Sequence, residues 1–407
     1  MTTRREALAL FGAGAAAVLT GCGPAGPEPA ASAPDLVLAQ VAEGLAVLRA
    51  DGVERLGAGL AAPDGATVFA ARAEGVDTVL STIELRTGRR TPGPRLAGAW
   101  VPRVASADGR LVALAAPDSA GVTHVPAGRA RTPLVVAGTT AEVARLELTG
   151  NLVPDAFTAG GEGLFVLDWL PPAAPDRYRV RHLDVASGKA SRLLTRLKAA
   201  VPDGAEEEMS GEGRFAVYAP DRQVLYTLYT HQPDHTHTRD LVAGRRSNVH
   251  AFVHTLHLTE QWAFCVDLPA PFGEGPGTAH TLAIAPDRSE LYVLDVSSGT
   301  YAVIDTGQLT VRSTAKGPRA AGTAYAAATF DALYVAVGES VHTTPRTGVS
   351  AWRTWTAGGS VSGLAASPDG RRVYAALPGR IAWFDAATGA RLGEHPVPGL
   401  TGLTRVL

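Results

Sequence analysis

Apolar and polar side chains alternate in short runs along almost the whole chain after residue 34, and turn-forming residues separate the runs. The clearest example begins at residue 360, where an alternating run is followed by Ser-Pro-Asp-Gly at 367–370 and then by further alternating runs. Alternation predicts half-buried strands, and Pro-Asp-Gly favours a tight turn. This segment therefore predicts a four-stranded antiparallel unit. Its strands are predicted at 360–366, 372–377, 381–385 and 391–397.

The same order of strands and turns recurs along the chain and predicts a closed ring. The other complete units begin near residues 59, 100, 152, 214, 280 and 323. One more unit is divided between the termini: residues 36–56 predict three strands without an inner partner, and residues 400–407 predict an inner strand without successors. Joining these halves removes both exposed sheet edges. We predict an all-β fold, a single β-propeller of eight four-stranded blades over residues 35–407, with seven blades as the alternative.

Two segments resemble known repeats. The run Leu-Tyr-Val-Leu-Asp-Val-Ser-Ser-Gly-Thr-Tyr-Ala-Val-Ile-Asp at 291–305 is similar to the YVTN-type repeat of bacterial surface and periplasmic propellers. Ser-Pro-Asp-Gly-Arg-Arg-Val-Tyr at 367–374 resembles that repeat and also WD40-like repeats. The resemblance implies the architecture alone, because members of these families range from binding proteins to quinone and haem enzymes.

The N-terminus carries the pattern of an export signal. Arg4 and Arg5 precede an apolar run at 7–19, which is shorter than the roughly 20 residues of a membrane span. Leu-Thr-Gly-Cys at 19–22 resembles the bacterial lipobox, which implies that Cys22 is acylated. We predict a signal peptide of the twin-arginine lipoprotein type at 1–21 and a flexible linker at 22–34. The protein is then anchored to the outer face of the cytoplasmic membrane.

The composition of the domain argues against nucleic acid as a partner. The 37 basic and 39 acidic residues give a net charge of -2, and no basic run is long enough to follow a nucleic-acid backbone. The abundance of Ala, Gly, Pro and Arg is typical of a GC-rich bacterial genome, such as that of an actinobacterium. If Cys22 is acylated, Cys265 has no disulfide partner, and its position in an alternating strand favours a buried, inert thiol. We expect a monomer that does not bind nucleic acid.

Long insertions are predicted on one face of the ring. Loops from the second to the third strand, and from the fourth strand to the next blade, share one face of a propeller. The long segments of this kind gather over units three to six, at 138–150, 171–177, 194–213, 230–248 and 269–279. Within them, residues 194–200 predict a short amphipathic helix, and the acidic run at 206–208 predicts a solvated surface.

The segment 230–248 contains most of the candidate chemistry. Seven of the 11 histidines fall between His231 and His280. The side chains that could bind zinc or copper are His231, Asp234, His235, His237 and Asp240. A solvated histidine-rich loop is the alternative. Candidate ligand contacts on the same face are Trp169, Arg177, Tyr178, Arg239, Arg245 and Arg246.

Two functions remain after these observations. The first is a membrane-anchored binding or scaffold module for a protein or a small ligand on the loop-rich face, without catalysis and without an assigned cofactor. The alternative is a metal- or cofactor-dependent propeller enzyme of quinoprotein-like or lactonase-like type that uses the segment 230–248. The sequence contains no Cys-x-x-Cys-His haem motif and no Gly-x-Ser-x-Gly nucleophile motif, which favours the binding module.

Overall fold

Eight antiparallel sheets form the fold in a computed structural model. The residues that the structure describes are 33–117, 125–210, 214–247, 249–346 and 351–407. Within them the sheets follow one another around an eight-bladed β-propeller, which confirms the predicted fold class and the blade count of eight. The predicted export-signal residues Arg4 and Arg5 and the predicted lipidation residue Cys22 lie outside the described residues.

Each blade has four antiparallel strands, ordered from the centre of the ring outward. In the order of blades one to eight, the strands are Leu400–Val406, Val37–Val41, Gly44–Arg49 and Gly52–Gly57; Gly59–Ala61, Thr67–Glu74, Asp77–Glu84 and Arg90–Leu96; Val101–Ala105, Leu111–Ala115, Arg131–Gly138 and Glu142–Thr149; Asn151–Phe157, Gly163–Leu170, Arg177–Asp184 and Ala190–Arg192; Arg214–Ala219, Val224–Tyr229, Phe252–His257 and Trp262–Asp267; His280–Ile284, Glu290–Asp295, Thr300–Asp305 and Thr310–Lys316; Ala324–Ala328, Ala332–Val337, Ser340–Pro345 and Arg353–Thr356; and Gly363–Ala366, Arg372–Leu377, Arg380–Asp385 and Arg391–Pro396.

Helical structure is confined to two short elements in the described part of the chain. They are the α-helix Thr238–Val242 and the 3-10 helix Gly277–Ala279. None of the helices among the described residues has the length and apolar character needed to cross a membrane.

The two ends of the domain close the ring in blade one. The C-terminal strand Leu400–Val406 pairs antiparallel with the N-terminal strand Val37–Val41, as the divided repeat predicts. Next to this sheet, the Asp35 carboxylate accepts bonds from the Arg372 guanidinium at 2.7 and 3.0 Å and from the Tyr374 hydroxyl at 2.6 Å. Both donors belong to blade eight, so Asp35 ties the start of the domain to the neighbouring blade.

The recurring turn is held by its own side chains. In blade eight the Ser367 hydroxyl donates to Asp369 at 2.6 Å and accepts the Arg372 backbone N–H at 3.0 Å. Gly370 adopts a φ of 69°, a left-handed conformation that glycine tolerates without steric cost. The Ser-x-Asp-Gly pattern recurs because it satisfies the backbone groups of the turn between the first and second strands.

The core lies between blades. Each apolar cluster draws its residues from two neighbouring blades, so the ring has one cluster at each of its eight interfaces. The cluster between blades four and five includes Trp169, Tyr178, Tyr229, Phe252 and Cys265. Cys265 is 2% exposed, as its position in the alternating strand predicts.

Two expectations about the loops were wrong. Residues 138–150 are a tight turn and the outer strand Glu142–Thr149 of blade three, because the strand pairs in register with Arg131–Gly138. Residues 194–200 contain no helix: Leu194–Thr195 is a short strand that pairs in parallel with Trp262–Asp267 on the outer edge of blade five. Here an available strand edge, which the sequence pattern does not reveal, satisfies the backbone.

Candidate metal-binding site

Two long connections pack against each other at the outer part of blade five. One joins blade four to blade five and includes residues 193–210; the other, at 230–251, joins the second and third strands of blade five. The Ser210 backbone N–H donates to the Gln232 side chain at 2.8 Å, and the Thr238 hydroxyl donates to the Ala205 carbonyl at 2.9 Å. These bonds fix the two segments relative to each other.

Four side chains converge where these segments meet. They are Glu207, His235, His237 and Cys265, and one ligand atom from each lies within 4.8 Å of all the others. The His235 Nε2 and His237 Nδ1 atoms are 3.0 Å apart, and each lies 3.5 Å from Glu207 Oε2. The Cys265 thiol donates to the same carboxylate oxygen at 2.9 Å.

The histidine rings are oriented by their outer nitrogen atoms. His235 Nδ1 lies 2.9 Å from the Glu208 backbone carbonyl, which can only accept a hydrogen bond. His237 Nε2 lies 2.6 Å from the Asp267 carboxylate. Such partners fix the tautomer of a metal-binding histidine and leave the other nitrogen free to coordinate. In this arrangement the free nitrogen atoms are those that face each other.

The 3.0 Å separation of the inner nitrogen atoms suits either a proton shared between the rings or a metal ion beside them. With a proton on each outer nitrogen, neutral His235 and His237 point two lone pairs at each other across 3.0 Å, beside the negative oxygen of Glu207. Electron-rich atoms at this separation repel one another unless a proton or a metal ion lies between them. Both histidine side chains are fully buried, so water does not screen this repulsion.

Phe252 supports the two histidines. The His235 ring stacks on the Phe252 ring at 4.3 Å, and the His237 ring meets it edge-on at 5.2 Å. Phe252 is itself fully buried on the third strand of blade five. The inter-blade core therefore determines the orientation of loop side chains, which is the support that a precise metal site needs.

Burial and charge shift the pKa of the acidic donors in opposite directions. Burial, reinforced by the Glu207 carboxylate, raises the pKa of the Cys265 thiol well above its ordinary value. Burial also opposes ionisation of Glu207, but hydrogen bonds from His235 and His237 outweigh it and hold the Glu207 pKa well below the usual range. Glu207 is therefore present as a carboxylate, whereas Cys265 is a thiol that must lose its proton before it binds a metal ion.

The pKa values of His237 and His254 are shifted in opposite directions. Burial disfavours protonation of His237, but Asp267 and Glu207 outweigh it and raise the His237 pKa. His254 lies near the same cluster on the third strand, and burial lowers its pKa to about 4. His254 is therefore neutral near pH 7, whereas His237 holds its proton more tightly than an ordinary histidine.

The structure brings together two of the five predicted metal ligands. His235 and His237 belong to the cluster, whereas His231, Asp234 and Asp240 do not. His231 contacts the Thr230 hydroxyl at 2.9 Å, Asp234 is exposed, and Asp240 accepts from Arg245 at 3.1 Å. A turn after His231 directs His235 inward, whereas Asp234 is exposed and Asp240 pairs with Arg245, so neither aspartate lies in the cluster with the two histidines.

The predicted aromatic contacts lie in the core instead of on a binding face. Trp169 is 5% exposed and Tyr178 is 6% exposed, and their ring centroids are 4.6 Å apart. Burial raises the pKa of the Tyr178 hydroxyl well above its ordinary value. These rings belong to the interface between blades four and five, which leaves little of their surface for a ligand.

The four predicted arginine contacts are at the surface in different settings. Arg177 pairs with Glu208 at 2.7 Å, and Arg245 pairs with Asp240. Arg239 donates to the Cys265 carbonyl at 2.9 Å and to Asp267 at 2.5 Å, so it braces the residue that orients His237. Arg246 is exposed.

Sequence reasoning missed Glu207 and the role of Cys265. The acidic run at 206–208 is not a solvated surface: Glu206 pairs with Arg179 and Arg181, Glu207 faces the histidines, and Glu208 pairs with Arg177. A cysteine and a carboxylate separated by many residues carry no spacing motif. The one available signal was that an acidic run and a buried thiol both flank the histidine-rich loop.

Comparison with known proteins supports the fold and nothing finer. No protein-family model matches the chain, and no curated protein matches it in sequence. The structure of dihydro-heme d1 dehydrogenase NirN in complex with DHE is 12% identical, with 91% of this chain and 75% of that chain covered and a TM-score of 0.52. Apo AztD from Citrobacter koseri is 11% identical, with coverages of 91% and 97% and a TM-score of 0.52. At these identities the chain is similar to both in fold alone.

Proposed function

We propose that this propeller is a metal-binding protein that holds one zinc ion between Glu207, His235, His237 and Cys265. The convergence of these four donors, with both histidines oriented by carbonyl and carboxylate partners, is the observation that carries the proposal. A tetrahedral zinc ion has bonds of about 2.0–2.3 Å, which place its donors roughly 3.3–3.8 Å apart. The closest donors are 2.9–3.5 Å apart, near this range, and all donor pairs lie within 4.8 Å.

The donor set favours zinc binding over catalysis. Two imidazoles, a thiolate and a carboxylate would fill all four positions of a tetrahedral ion, as in a closed site that does not activate water. This proposal refines the predicted binding module, with a metal ion as the ligand on the loop-rich face. Catalysis at an open metal site is the alternative, and it requires that one of the four residues be dispensable for binding.

Copper is the second candidate metal, because a thiolate with two imidazoles is also the donor set of trigonal copper sites. The two metals are distinguished by the metal content of the protein as purified. Copper in the protein as purified, together with a thiolate-to-copper charge-transfer band, would replace zinc with copper in the proposal, whereas displacement of zinc by added copper would not, because copper(II) binds most such sites more tightly.

Metal analysis of protein purified without a histidine tag tests the proposal. We expect one zinc ion per chain after loading and removal of free metal. We expect stoichiometric zinc to be lost in His237→Ala and in Cys265→Ser. Glu207→Gln should weaken binding, because the amide keeps the shape of the carboxylate but not its charge.

His395→Ala is the matched control, since His395 lies on the outer strand of blade eight, away from the cluster. It should bind zinc like the unaltered protein. Circular dichroism would establish that each variant is folded. Absence of stoichiometric metal in the unaltered protein, or equal loss of zinc in the His395 and His237 variants, would refute the proposal.

We also propose that the chain is exported and anchored to the membrane through Cys22. The support is the sequence alone: Arg4 and Arg5, the short apolar run and the lipobox-like segment at 19–22. Metabolic labelling with an alkyne fatty acid should label the unaltered protein and not Cys22→Ser. Replacing Arg4 and Arg5 with lysine should reduce export if the twin-arginine route is used. Equal labelling of both proteins would exclude acylation at Cys22.

A further inference from the structure

A cavity of about 420 Å³ lies beside the metal-binding cluster, under the connection from blade four to blade five. Its volume falls in the range of about 300–1,000 Å³ that is usual for small-ligand sites. Most of the wall is apolar and is formed by side chains that include Val180, Leu193, Val201, Met209, Ala263 and Phe264. The cavity is therefore suited to an apolar body, not to a sugar or a nucleotide.

Apolar side chains at the mouth of the cavity also face solvent. Leu197 is 90% exposed and Val242 is 59% exposed, although both line the cavity. They come from different segments: Leu197 from the turn after the strand Leu194–Thr195, and Val242 from the end of the short helix. Exposed apolar side chains in the lining of a cavity are typical of a ligand site, because an occupant removes them from water.

Charge at the cavity favours an anionic group. Of the acidic residues of the wall, Glu206 pairs with Arg179 and Arg181, and Glu207 faces the buried His235 and His237 at 3.5 Å. Arg196 and Arg239 also line the cavity. Their guanidinium groups lie over the Phe264 ring, at 5.3 and 5.5 Å from its centroid.

Arg196 carries the charge that lacks compensation. Arg239 pairs with Asp267, whereas Arg196 bonds only the Gln308 backbone carbonyl at 3.3 Å and has no carboxylate partner among the described residues. A guanidinium beside an aromatic ring and an apolar cavity can bind a carboxylate while the body of the ligand enters the cavity.

We propose that this cavity binds a small amphipathic carboxylate, with an apolar body of about ten carbons inside and the carboxylate at Arg196. Val180, Met209, Ala263 and Phe264 contact the apolar body. Glu207 and Cys265 of the proposed metal site also line the cavity, but none of the contacts named here requires a bound metal ion.

Calorimetric titration with decanoate tests the proposal in metal-free and zinc-loaded protein. Decanoate should bind saturably at one site per chain. Ala263→Phe fills the cavity without removing a charge and should weaken decanoate binding by about tenfold or more. Arg196→Gln removes an exposed charge and should weaken it by about two- to fivefold. Decanol and decyltrimethylammonium have the same chain length and should both bind less tightly than decanoate.

The controls separate the cavity from nonspecific adsorption and from misfolding. Arg353→Gln changes an exposed arginine on the outer strand of blade seven and should leave decanoate binding unchanged. Arg196→Gln alters the protein surface alone, so its result holds even if Ala263→Phe proves unstable. Absence of saturable binding, unchanged affinity in a folded Ala263→Phe protein, or equal affinity for decanol or the ammonium compound would overturn the proposal. If the protein binds decanoate but not zinc, the proposed metal site is refuted and the proposed carboxylate site is supported.

Discussion

Blades five and eight are built from the same four-stranded unit, but they use their polar residues differently. In blade eight the second and third strands are joined by residues 378–379, and the polar side chains of the turns bond their own backbone, as Ser367 and Asp369 do. In blade five the corresponding connection is residues 230–251, where His235 contacts the Glu208 carbonyl and His237 contacts the Asp267 carboxylate, both in other segments. The polar side chains of a short turn form hydrogen bonds within the turn, whereas those of a long loop can reach other segments and form a site.

The difference also shows where a propeller can accommodate buried histidines. Blade five presents the buried ring of Phe252 beneath its loop, and the connection from blade four covers the loop from outside. The buried His235 and His237 are therefore held by a rigid sheet on one side and by Glu207 on the other. The regular strands supply the support, and the irregular connections supply the donors.

The largest expected effect concerns the interface that supports the site. Trp169→Ala should lower the free energy of unfolding by about 3–5 kcal/mol, because it removes a buried ring that packs on Tyr178. Urea unfolding would measure the change. Trp352→Ala is the control: Trp352 is partly exposed in the segment before the outer strand of blade seven, and its loss should cost roughly 1 kcal/mol. Equal costs would contradict the assignment of Trp169 to the core.

Zinc should stabilise the blade-five site more than it stabilises blade eight. At a free zinc concentration of about 100 times Kd, linkage predicts about 2.7 kcal/mol of added stability. In hydrogen exchange, amides near residues 205–209 and 232–241 should become more protected, while those of blade eight should not change. Cys265→Ala should abolish both effects. Uniform protection across the ring would indicate that zinc does not bind at this cluster.

The contacts that close the ring between blades one and eight provide a stability test away from the blade-five site. Asp35→Ala should lower the free energy of unfolding by about 2 kcal/mol, because Arg372 and Tyr374 lose a charged hydrogen-bond partner. Thermal unfolding would measure this loss, and zinc affinity should not change. Asp51→Ala, at an exposed turn of blade one, should have little effect on stability. A change in zinc affinity in the Asp35 variant would show that the ring closure and the blade-five site are coupled.

The last test is a pH dependence that only the blade-five site should show. Cys265 and His237 both have raised pKa values, so each must lose a proton before it coordinates zinc. Lower pH therefore favours the protonated, metal-free form, and affinity should fall by about tenfold per pH unit for each proton displaced. Competition with a chromophoric chelator at several pH values would measure the slope. An affinity independent of pH would exclude coordination by these two groups.

The blade count could be predicted because alternation and turn chemistry are local. Ser367, Asp369 and Gly370 lie within one turn, so the residues that make the turn are adjacent in the sequence. The divided first blade could also be predicted, since strands at 37–57 lack an inner partner and the strand at 400–406 provides it.

The composition of the site could be predicted only in part. His235 and His237 are separated by one residue, so their proximity follows from the chain itself. Glu207 and Cys265 come from an inter-blade connection and an outer strand, and no local pattern places them beside the histidines. Asp234 and Asp240 were closer in sequence, but the turn at Gln232–His235 and the short helix direct them away.

The sequence by itself determined the repeated unit, the closure of the ring and the loop that carries the histidines, because each depends on residues that are neighbours or on a repeat. The tertiary structure alone decided which donors meet, because packing of the 193–210 connection on the 230–251 loop brings together side chains from three separate segments. It also decided that Trp169 and Tyr178 belong to the core, since alternation predicts an inward side chain but not the neighbouring blade that covers it.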